Sequence, residues 1–164
     1  MSNAVLTPLA MLASLMMPAC GATGAHGVPS TQMDFAHLIR PSKPNTALAA
    51  PAGYTPKPDI VTPTYHVSPN DLFAIVVHVA AAQPATYKLG EDKPALEAGW
   101  VARSLIFNFP DIIWAQVRPG GTGNSELLLY SRSVYGRSDF GVNRQRVETW
   151  LAAVANAVTA VAAR

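Results

Sequence analysis

The chain has 164 residues, of which 49% are hydrophobic and only 13% are charged, and its formal net charge is +2. This weakly basic balance argues against a nucleic-acid-binding protein, because such proteins carry a pronounced basic stripe. The single cysteine, Cys20, excludes an intramolecular disulfide and a metal site built from several thiolates.

The N-terminal residues are typical of an export signal. Residues 4–19 form an uncharged, mostly apolar run that contains two prolines and is shorter than the ~20 residues needed to span a bilayer. The tetrapeptide Met-Pro-Ala-Cys at residues 17–20 resembles a bacterial lipoprotein box, in which the cysteine is lipidated after cleavage. We therefore predict a signal peptide over residues 1–19, lipidation of Cys20 and a location on the periplasmic side of a bacterial membrane. The alternative is an apolar N-terminal helix in a cytosolic protein, with Cys20 as a buried thiol.

The next part of the chain predicts a tether and then an extended segment. Small residues dominate after the cysteine, so we predict a flexible tether over residues 20–39 and a single folded domain over residues 40–164. Residues 41–69 contain seven of the fourteen prolines, which disfavour helix. We expect residues 40–51 to be extended and to wrap the surface, and a strand to form near residues 62–67.

A helix is predicted to begin after Ser68. Ser68 is a suitable N-cap, and Pro69 suits the first helical position. Apolar residues then recur at helical spacing, at Leu72, Ile75, Val76 and Val79. Pro84 interrupts this pattern, so the helix should end before it.

Four strand-like segments follow, separated by polar residues, prolines or glycines. They cover residues 86–89, 98–107, 112–117 and 126–134. The glycine-rich residues 119–124 predict the turn of a hairpin between the last two segments. Consecutive strands joined by short turns predict an antiparallel sheet.

The last predicted element is a helix from Asn143 to the C-terminus, with Asn143 as its N-cap. Its apolar stripe consists of Val147, Trp150, Leu151, Val154, Val158 and Val161. Two helices with one apolar stripe each should cover the same face of a sheet. We therefore predict an α+β fold, with an antiparallel sheet of about four to six strands, two helices packed on one face, and an extended Pro-rich segment before them.

The junction between the last strand and the final helix carries most of a resemblance to a known family. Residues 109–111 (Phe-Pro-Asp), 131–133 (Ser-Arg-Ser) and 136–147 (Gly-Arg-Ser-Asp-Phe-Gly-Val-Asn-Arg-Gln-Arg-Val) together resemble family 1499 of the domains of unknown function. Pro44, Asn45 and residues 101–104 are also similar to its bacterial members. The resemblance implies a secreted, lipid-anchored or membrane-associated α+β domain, and it implies no established activity.

The same junction concentrates arginines beside an acidic residue. Arg132, Arg137, Arg144 and Arg146 lie near Asp139 in the sequence. One hypothesis is an anion site, in which guanidinium groups and free amides at the helix N-terminus bind phosphate or carboxylate. The alternative is structural, with Asp139 paired to one or two of the arginines and capping loop amides. Arginines beside Asp139 would lower its pKa, which would make it a poor general base.

Arg103 and Asp111 lie on neighbouring predicted strands, which favours either a cross-strand ion pair or a shared place in a pocket. The residues that we expect at a ligand site are Arg103, Asp111, Arg132, Ser138, Asp139, Asn143, Arg144 and Arg146. Among them, Arg132 and Arg144 would contact the anion, and Asp139 would hold the loop.

The sequence does not specify a reaction. It contains no Gly-x-Ser-x-Gly motif, no His-x-x-x-His pair and no phosphate-binding loop, so we predict no catalytic residue, metal site or cofactor. The first hypothesis is an exported binding or structural module, held at a membrane by lipid, with a small anionic or lipid-like ligand. The second is an enzyme on a small or lipid-like substrate that uses Asp111 or Asp139 as an acid–base group. The third is a folding latch between the sheet and the final helix.

Overall fold

A computed structural model of the chain describes residues 24–28 and 33–163. The predicted signal peptide over residues 1–19 and the predicted lipidation site, Cys20, lie outside the described residues. Within the described ranges, neither of the two helices is long and apolar enough to cross a membrane.

The centre of the fold is a six-stranded sheet. Its strands are β1 (Thr46–Ala50), β2 (Ile60–Val61), β3 (Thr86–Asp92), β4 (Glu97–Arg103), β5 (Pro110–Pro119) and β6 (Ser125–Ser133). They lie in the order β2-β1-β6-β5-β4-β3, with β1 and β2 parallel and all other neighbours antiparallel. Strands β3 to β6 thus form the predicted antiparallel meander, and β1 extends the sheet beside β6.

The β5–β6 hairpin decides which side chains lie on each face of the sheet. Its turn is the glycine-rich segment predicted from the sequence, and Pro119 pairs with Ser125 across it. The register then continues without a shift to Asp111, which lies opposite Ser133. Because side chains alternate along a strand, the odd-numbered residues of both strands share one face and the even-numbered residues share the other.

Two helices, α1 (Pro69–Ala81) and α2 (Val142–Ala162), pack on the odd-numbered face of the hairpin. Helix α1 begins as predicted, and the Ser68 hydroxyl accepts a hydrogen bond of 3.1 Å from an amide of the first turn. Helix α2 places Trp150 edge-to-face against Trp100 of β4, with ring centroids 5.5 Å apart. The predicted fold class, α+β with two helices on one face of a mainly antiparallel sheet, is confirmed.

The N-terminal part of the described chain covers the other face of the sheet. A short 3₁₀ turn over Phe35–His37 buries Phe35, and Leu38 packs in the same cluster as Trp114. The indole of Trp114 fits because β4 has a glycine beside it, where a Cβ on Gly99 would lie only 2.7 Å from the ring. Phe35 and Leu38 fall in the range predicted as a flexible tether, so the packed body begins before residue 40.

The predictions for the Pro-rich segment are only partly correct. Residues 46–50 are extended, as predicted, but they do not wrap the surface. They form β1, a buried strand between β2 and β6, because its small apolar side chains pack on both faces of the sheet. The strand predicted near residues 62–67 is wrong, since β2 ends at Val61 and the pairing after it is an isolated bridge between Tyr65 and Ser125.

Two element boundaries next to the candidate site also differ from the sequence prediction. Strand β4 ends at Arg103 instead of residue 107, because a turn follows in which Asn108 has a left-handed φ of 55°. Helix α2 has Gly141 as its N-cap, with a φ of 84° and no capping hydrogen bond from its own side chain. Asn143 is therefore not the N-cap, and its side chain is directed into the protein.

Candidate functional site

Polar side chains from strands β5 and β6, from helix α2 and from the segments before β1 and α2 meet at one end of the sheet. At this end β1 and β5 begin, β6 ends and α2 begins. The register places Asp111 opposite Ser133, so both lie on the face that the helices cover. We call the resulting hydrogen-bonded cluster the latch, which consists of Asn45, Asp111, Ser131, Ser133, Asp139, Asn143 and Arg146.

Asn143 is the centre of the latch. It is completely buried, with 0% of its surface exposed. Its side-chain nitrogen lies 2.7 Å from Asp139 Oδ2, 2.9 Å from Ser133 Oγ and 3.1 Å from the carbonyl oxygen of Asn45. Asn45 in turn donates from Nδ2 to the carbonyl oxygen of Gly136 over 3.1 Å. One carboxamide thereby joins the start of α2, the end of β6 and the segment before β1.

Arg146 connects the other side of Asn143 to the sheet. Its Nη1 donates to Asn143 Oδ1 over 2.8 Å and to Ser131 Oγ over 3.1 Å. Its Nη2 forms an ion pair of 2.8 Å with Asp111 Oδ2, and only 15% and 11% of the two side chains are exposed. The hydrogen bonds of Arg146 are thus directed to the latch, which explains how its charge is accommodated so close to the core.

Asp139 takes over the capping role that was expected of Asn143. Its Oδ1 accepts a hydrogen bond from the Gly141 amide at 3.0 Å, and its Oδ2 accepts one from the Asn143 amide at 2.8 Å. Partial burial alone would raise the pKa of Asp139, but these hydrogen bonds and the one from the Asn143 side chain outweigh burial and lower it. The predicted capping of loop amides is confirmed. The predicted pairing of Asp139 with an arginine is wrong, because the described residues place no guanidinium in an ion pair with it.

The remaining arginines of the predicted anion site do not converge. Arg144 forms an exposed ion pair of 3.0 Å with Glu148 along α2. Arg132 and Arg137 make no ion pair with any described residue. Ser138 accepts a hydrogen bond of 3.3 Å from the amide two residues further along, which supports the loop.

Arg103 has a role that the sequence prediction missed. The register sets Ala102, not Arg103, opposite Asp111, so Arg103 and Asp111 lie on different faces and the predicted cross-strand pair is wrong. The guanidinium of Arg103 instead donates to the carbonyl oxygens of Gly24 (2.8 Å), His26 (2.7 Å) and Asn108 (3.1 Å). It therefore holds the N-terminal segment 24–28 against the loop that follows β4.

A pocket of about 350 Å³ opens directly beside the latch. Most of its lining is apolar and comes from Phe107, Phe109, Tyr135, Phe140 and Val142, and we call it the aromatic pocket. Its polar wall is formed by latch residues and their neighbours, namely Asp111, Ser133, Ser138 and Asp139. The rings are in contact with one another, since Phe107 stacks on Phe109 at a centroid distance of 5.7 Å.

The aromatic pocket does not follow from the sequence pattern, which favours a single strand over residues 98–107. The turn after Arg103 instead carries Phe107 out of the sheet. The roles of Asn45, Ser131 and Ser133 as partners of Asn143 were also not predicted. Those three residues lie within the segments that carry the family resemblance, which is the signal that could have identified them.

A second, more polar groove of about 490 Å³ lies at the same end of the sheet, around the start of β1. Its charged lining consists of Arg40, Lys43, Asp59, Asp139 and Arg144, and we call it the basic groove. Arg40 is already paired with Asp59 at 2.7 Å. Within residues 24–28 and 33–163, no three His, Cys, Asp or Glu side chains lie together in a way that could hold a metal ion.

Comparison with known proteins agrees with the resemblance in the motif residues. The family described as protein of unknown function (DUF1499) matches residues 38–154, which include every residue of the latch. No sequence among the curated proteins matches this chain.

Proposed function

The chain belongs to the DUF1499 family, and we propose that this member is an exported domain, anchored by lipid on Cys20, that binds a small lipid-like ligand. Export is supported by the apolar run at residues 4–19. Lipidation is supported by the lipoprotein-like tetrapeptide that ends at Cys20. Such an anchor would hold the domain on the periplasmic side of a bacterial membrane.

The aromatic pocket is the observation that carries the binding role. Ligand pockets are typically apolar with a few placed polar groups, and this pocket combines several aromatic side chains with the serines and carboxylates of the latch. The latch keeps the polar wall fixed, because its members are hydrogen-bonded to one another. A ligand would therefore meet a preformed surface instead of having to order it.

A lipid-like ligand suits this lining better than a free anion. The pocket is lined by the carboxylates of Asp111 and Asp139 and by no cationic side chain of the described residues, because the guanidinium of Arg146 is engaged by the latch. We therefore propose a neutral ligand, with an apolar body and a hydroxyl or amide end, in preference to the anion expected from the sequence.

The alternative of an enzyme with Asp111 or Asp139 as its acid–base group has less support. A general base must be free to accept a proton from its substrate. Asp111 is held in an ion pair with Arg146, and Asp139 accepts hydrogen bonds from two backbone amides, which lower its pKa. Both carboxylates have structural partners in the latch.

The binding role is tested with a neutral apolar probe. N-phenyl-1-naphthylamine should bind the full chain with enhanced fluorescence, and a monoacylglycerol should displace it whereas inorganic phosphate should not. Tyr135→Ala should weaken probe binding at least tenfold, because the ring lines the pocket. Tyr87→Ala is a matched control, since Tyr87 is similarly exposed (43% against 56% for Tyr135) and lies outside the pocket. Equal affinities of the two variants, or displacement by phosphate alone, would contradict the proposal.

The anchor is tested separately by intact-mass analysis of the native membrane fraction. Cleavage before Cys20 with added diacylglycerol is the expected result, and Cys20→Ser should remove both. A soluble, unprocessed wild-type chain would refute the anchor and leave the binding role to the probe experiment.

A further inference from the structure

Two neighbouring loops at the latch end of the sheet expose large apolar side chains. The loops are residues 104–109 and 134–141, and they touch through Phe109 and Tyr135, whose ring centroids are 6.5 Å apart. We call their exposed side chains the apolar patch, which consists of Leu105, Ile106, Phe107, Phe109, Tyr135 and Phe140. Leu105, Ile106 and Phe140 are 89%, 85% and 97% exposed, respectively. A contiguous patch of this kind on a folded domain marks an interaction surface.

The backbone of the second loop holds one of these side chains outward at an energetic cost. Phe140 has a φ of 54°, a left-handed conformation that costs about 1–2 kcal/mol in a residue with a Cβ. The loop is supported on both sides of Phe140, since Ser138 accepts a hydrogen bond from its amide and Asp139 accepts one from the amide of Gly141. The exposure of Phe140 is therefore built into the loop and does not result from a lack of structure around it.

The N-terminal segment reaches the body of the protein next to this patch. Arg103 binds the carbonyl oxygens of Gly24 and His26 and, with the same guanidinium, that of Asn108 in the first patch loop. Gly24 is only four positions after Cys20, with three residues between them, and an extended chain of that length spans at most about 14 Å. If Cys20 carries lipid, as the proposed function requires, the apolar patch must remain close to the membrane surface.

The charges around the patch complement anionic lipid headgroups. Arg137 lies in the second patch loop and Lys43 in the adjoining basic groove, and the described structure gives neither of them an acidic partner. The nearby carboxylates are engaged, Asp111 by Arg146 and Asp139 by backbone amides. Exposed aromatic and aliphatic side chains beside unpaired cations are the combination that favours an anionic bilayer interface.

We infer that the apolar patch is a membrane-docking surface, which enters the interface of an anionic phospholipid bilayer and orients the anchored domain with the aromatic pocket toward the lipid. This inference rests on the proposed function for the nearness of the bilayer, but it adds an orientation and a second point of attachment. One lipid anchor and a set of inserted side chains together would hold the domain in a single pose, because membrane attachment is stable when two signals act together.

The experiment places a tryptophan in the patch and measures its contact with lipid. The full chain carrying Cys20→Ser is mixed with vesicles of phosphatidylcholine and phosphatidylglycerol that contain brominated phosphatidylcholine. The native residues Trp100, Trp114 and Trp150 are buried, so changes report the added residue. In Ile106→Trp, the fluorescence of the new tryptophan should shift to the blue and be quenched by the brominated lipid. In Thr122→Trp, the new tryptophan lies in the β5–β6 turn, about 30 Å away at the other end of the sheet, and its fluorescence should not change when vesicles are added.

A second measurement removes the two side chains of the patch that do not line the aromatic pocket. Leu105→Ser with Ile106→Ser should weaken vesicle binding at least tenfold, whereas Val61→Ser, at an exposed apolar position on β2, should change it less than twofold. Neither Leu105 nor Ile106 lines the pocket, so N-phenyl-1-naphthylamine should bind this double variant as it binds the parent. The apolar run at residues 4–19 is present in every variant and contributes equally to all of them.

Equal quenching at positions 106 and 122, no quenching at position 106, or unchanged vesicle binding by the double variant would each overturn the docking surface. These results are independent of the anchor and of the pocket. A chain that is not lipidated in cells can still show quenching at position 106, and a lipidated chain with a functional pocket can fail to show it.

Discussion

The latch and the apolar patch lie side by side at one end of the sheet, but the latch buries polar side chains whereas the patch exposes apolar ones. In the latch, buried polar groups are hydrogen-bonded to one another, and Asn143 alone contacts five partners. In the patch, large apolar groups have no covering layer among the described residues, although their burial would stabilise the fold. The contrast separates two tasks, because the latch fixes the loops and the patch is left available for contact.

This contrast predicts that substitutions in the two regions affect the free energy of unfolding differently. Substitutions in the latch should lower the free energy of unfolding, since each leaves a buried donor or acceptor without a partner. Substitutions in the patch should leave the free energy of unfolding almost unchanged and affect only contact with lipid or ligand. The following variants test the claim, in order of decreasing expected effect.

Asn143→Ala should have the largest effect. It removes the central side chain of the latch and leaves polar atoms of Asp139, Ser133 and Ser131 without their hydrogen-bond partner. We therefore expect the free energy of unfolding to fall by roughly 4 kcal/mol. Urea denaturation followed by circular dichroism measures it. A loss below about 1 kcal/mol would show that the latch is not what fixes α2 to the sheet.

Arg146→Met should cost about 3 kcal/mol, because it leaves the carboxylate of Asp111 mostly buried without its cation. The double variant Asp111→Leu with Arg146→Met should recover part of this loss, since no uncompensated charge remains. The double-mutant cycle, measured in urea, gives the coupling energy directly. Additive effects of the two substitutions would mean that the ion pair is incidental.

Asp139→Asn should cost about 1 kcal/mol at neutral pH, which is typical for the loss of a capping carboxylate. The pKa of Asp139 is lowered in the folded state, so its contribution is complete above the ordinary value of 3.8 and is lost as the pH falls through the lower folded value. The stability difference between the wild type and this variant should therefore shrink in acid. A difference that stays constant down to the acid transition would exclude the carboxylate as its source.

Phe140→Gly should have the smallest effect, and its sign should be opposite. Glycine adopts the left-handed conformation without strain, so the free energy of unfolding should be unchanged or rise by less than about 1 kcal/mol. Urea denaturation is again the measurement, with vesicle binding measured on the same sample. A loss of stability comparable to that of the latch variants would erase the distinction between the two regions.

The sequence predicted the parts of the fold that depend on local patterns. Helix α1 follows from Ser68, Pro69 and the apolar spacing after them, and the β5–β6 hairpin follows from the glycine-rich turn. Strand β1 was missed because its residues, Thr-Ala-Leu-Ala-Ala, have little strand preference and lie between prolines. Its place in the sheet depends on pairing with β6, which is more than 75 residues away in the chain.

The latch could be located from the sequence, but its contacts could not be derived. The concentration of polar residues at 131–146 indicated either an anion site or a structural cluster, and in the structural alternative Asp139 was correctly expected to bind loop amides. Asp111 pairs with Arg146 and not with Arg103 because the register of β4 and β5 places Arg103 and Asp111 on opposite faces of the sheet. That register could not be derived from a sequence pattern that favours one strand over residues 98–107. The exposure of Leu105 and Ile106 was missed for the same reason.

The use of residues 33–38 to close one face of the sheet has a practical consequence for handling this protein. The range matched by the family begins at residue 38, so a fragment cut to that range would lose Phe35. Its absence would uncover part of a cluster that includes Trp114 and Tyr130, and bare sheet faces of this kind promote aggregation. A recombinant fragment should begin no later than residue 33, and poor solubility of a shorter one would reflect this missing cover and not an intrinsic instability of the family's fold.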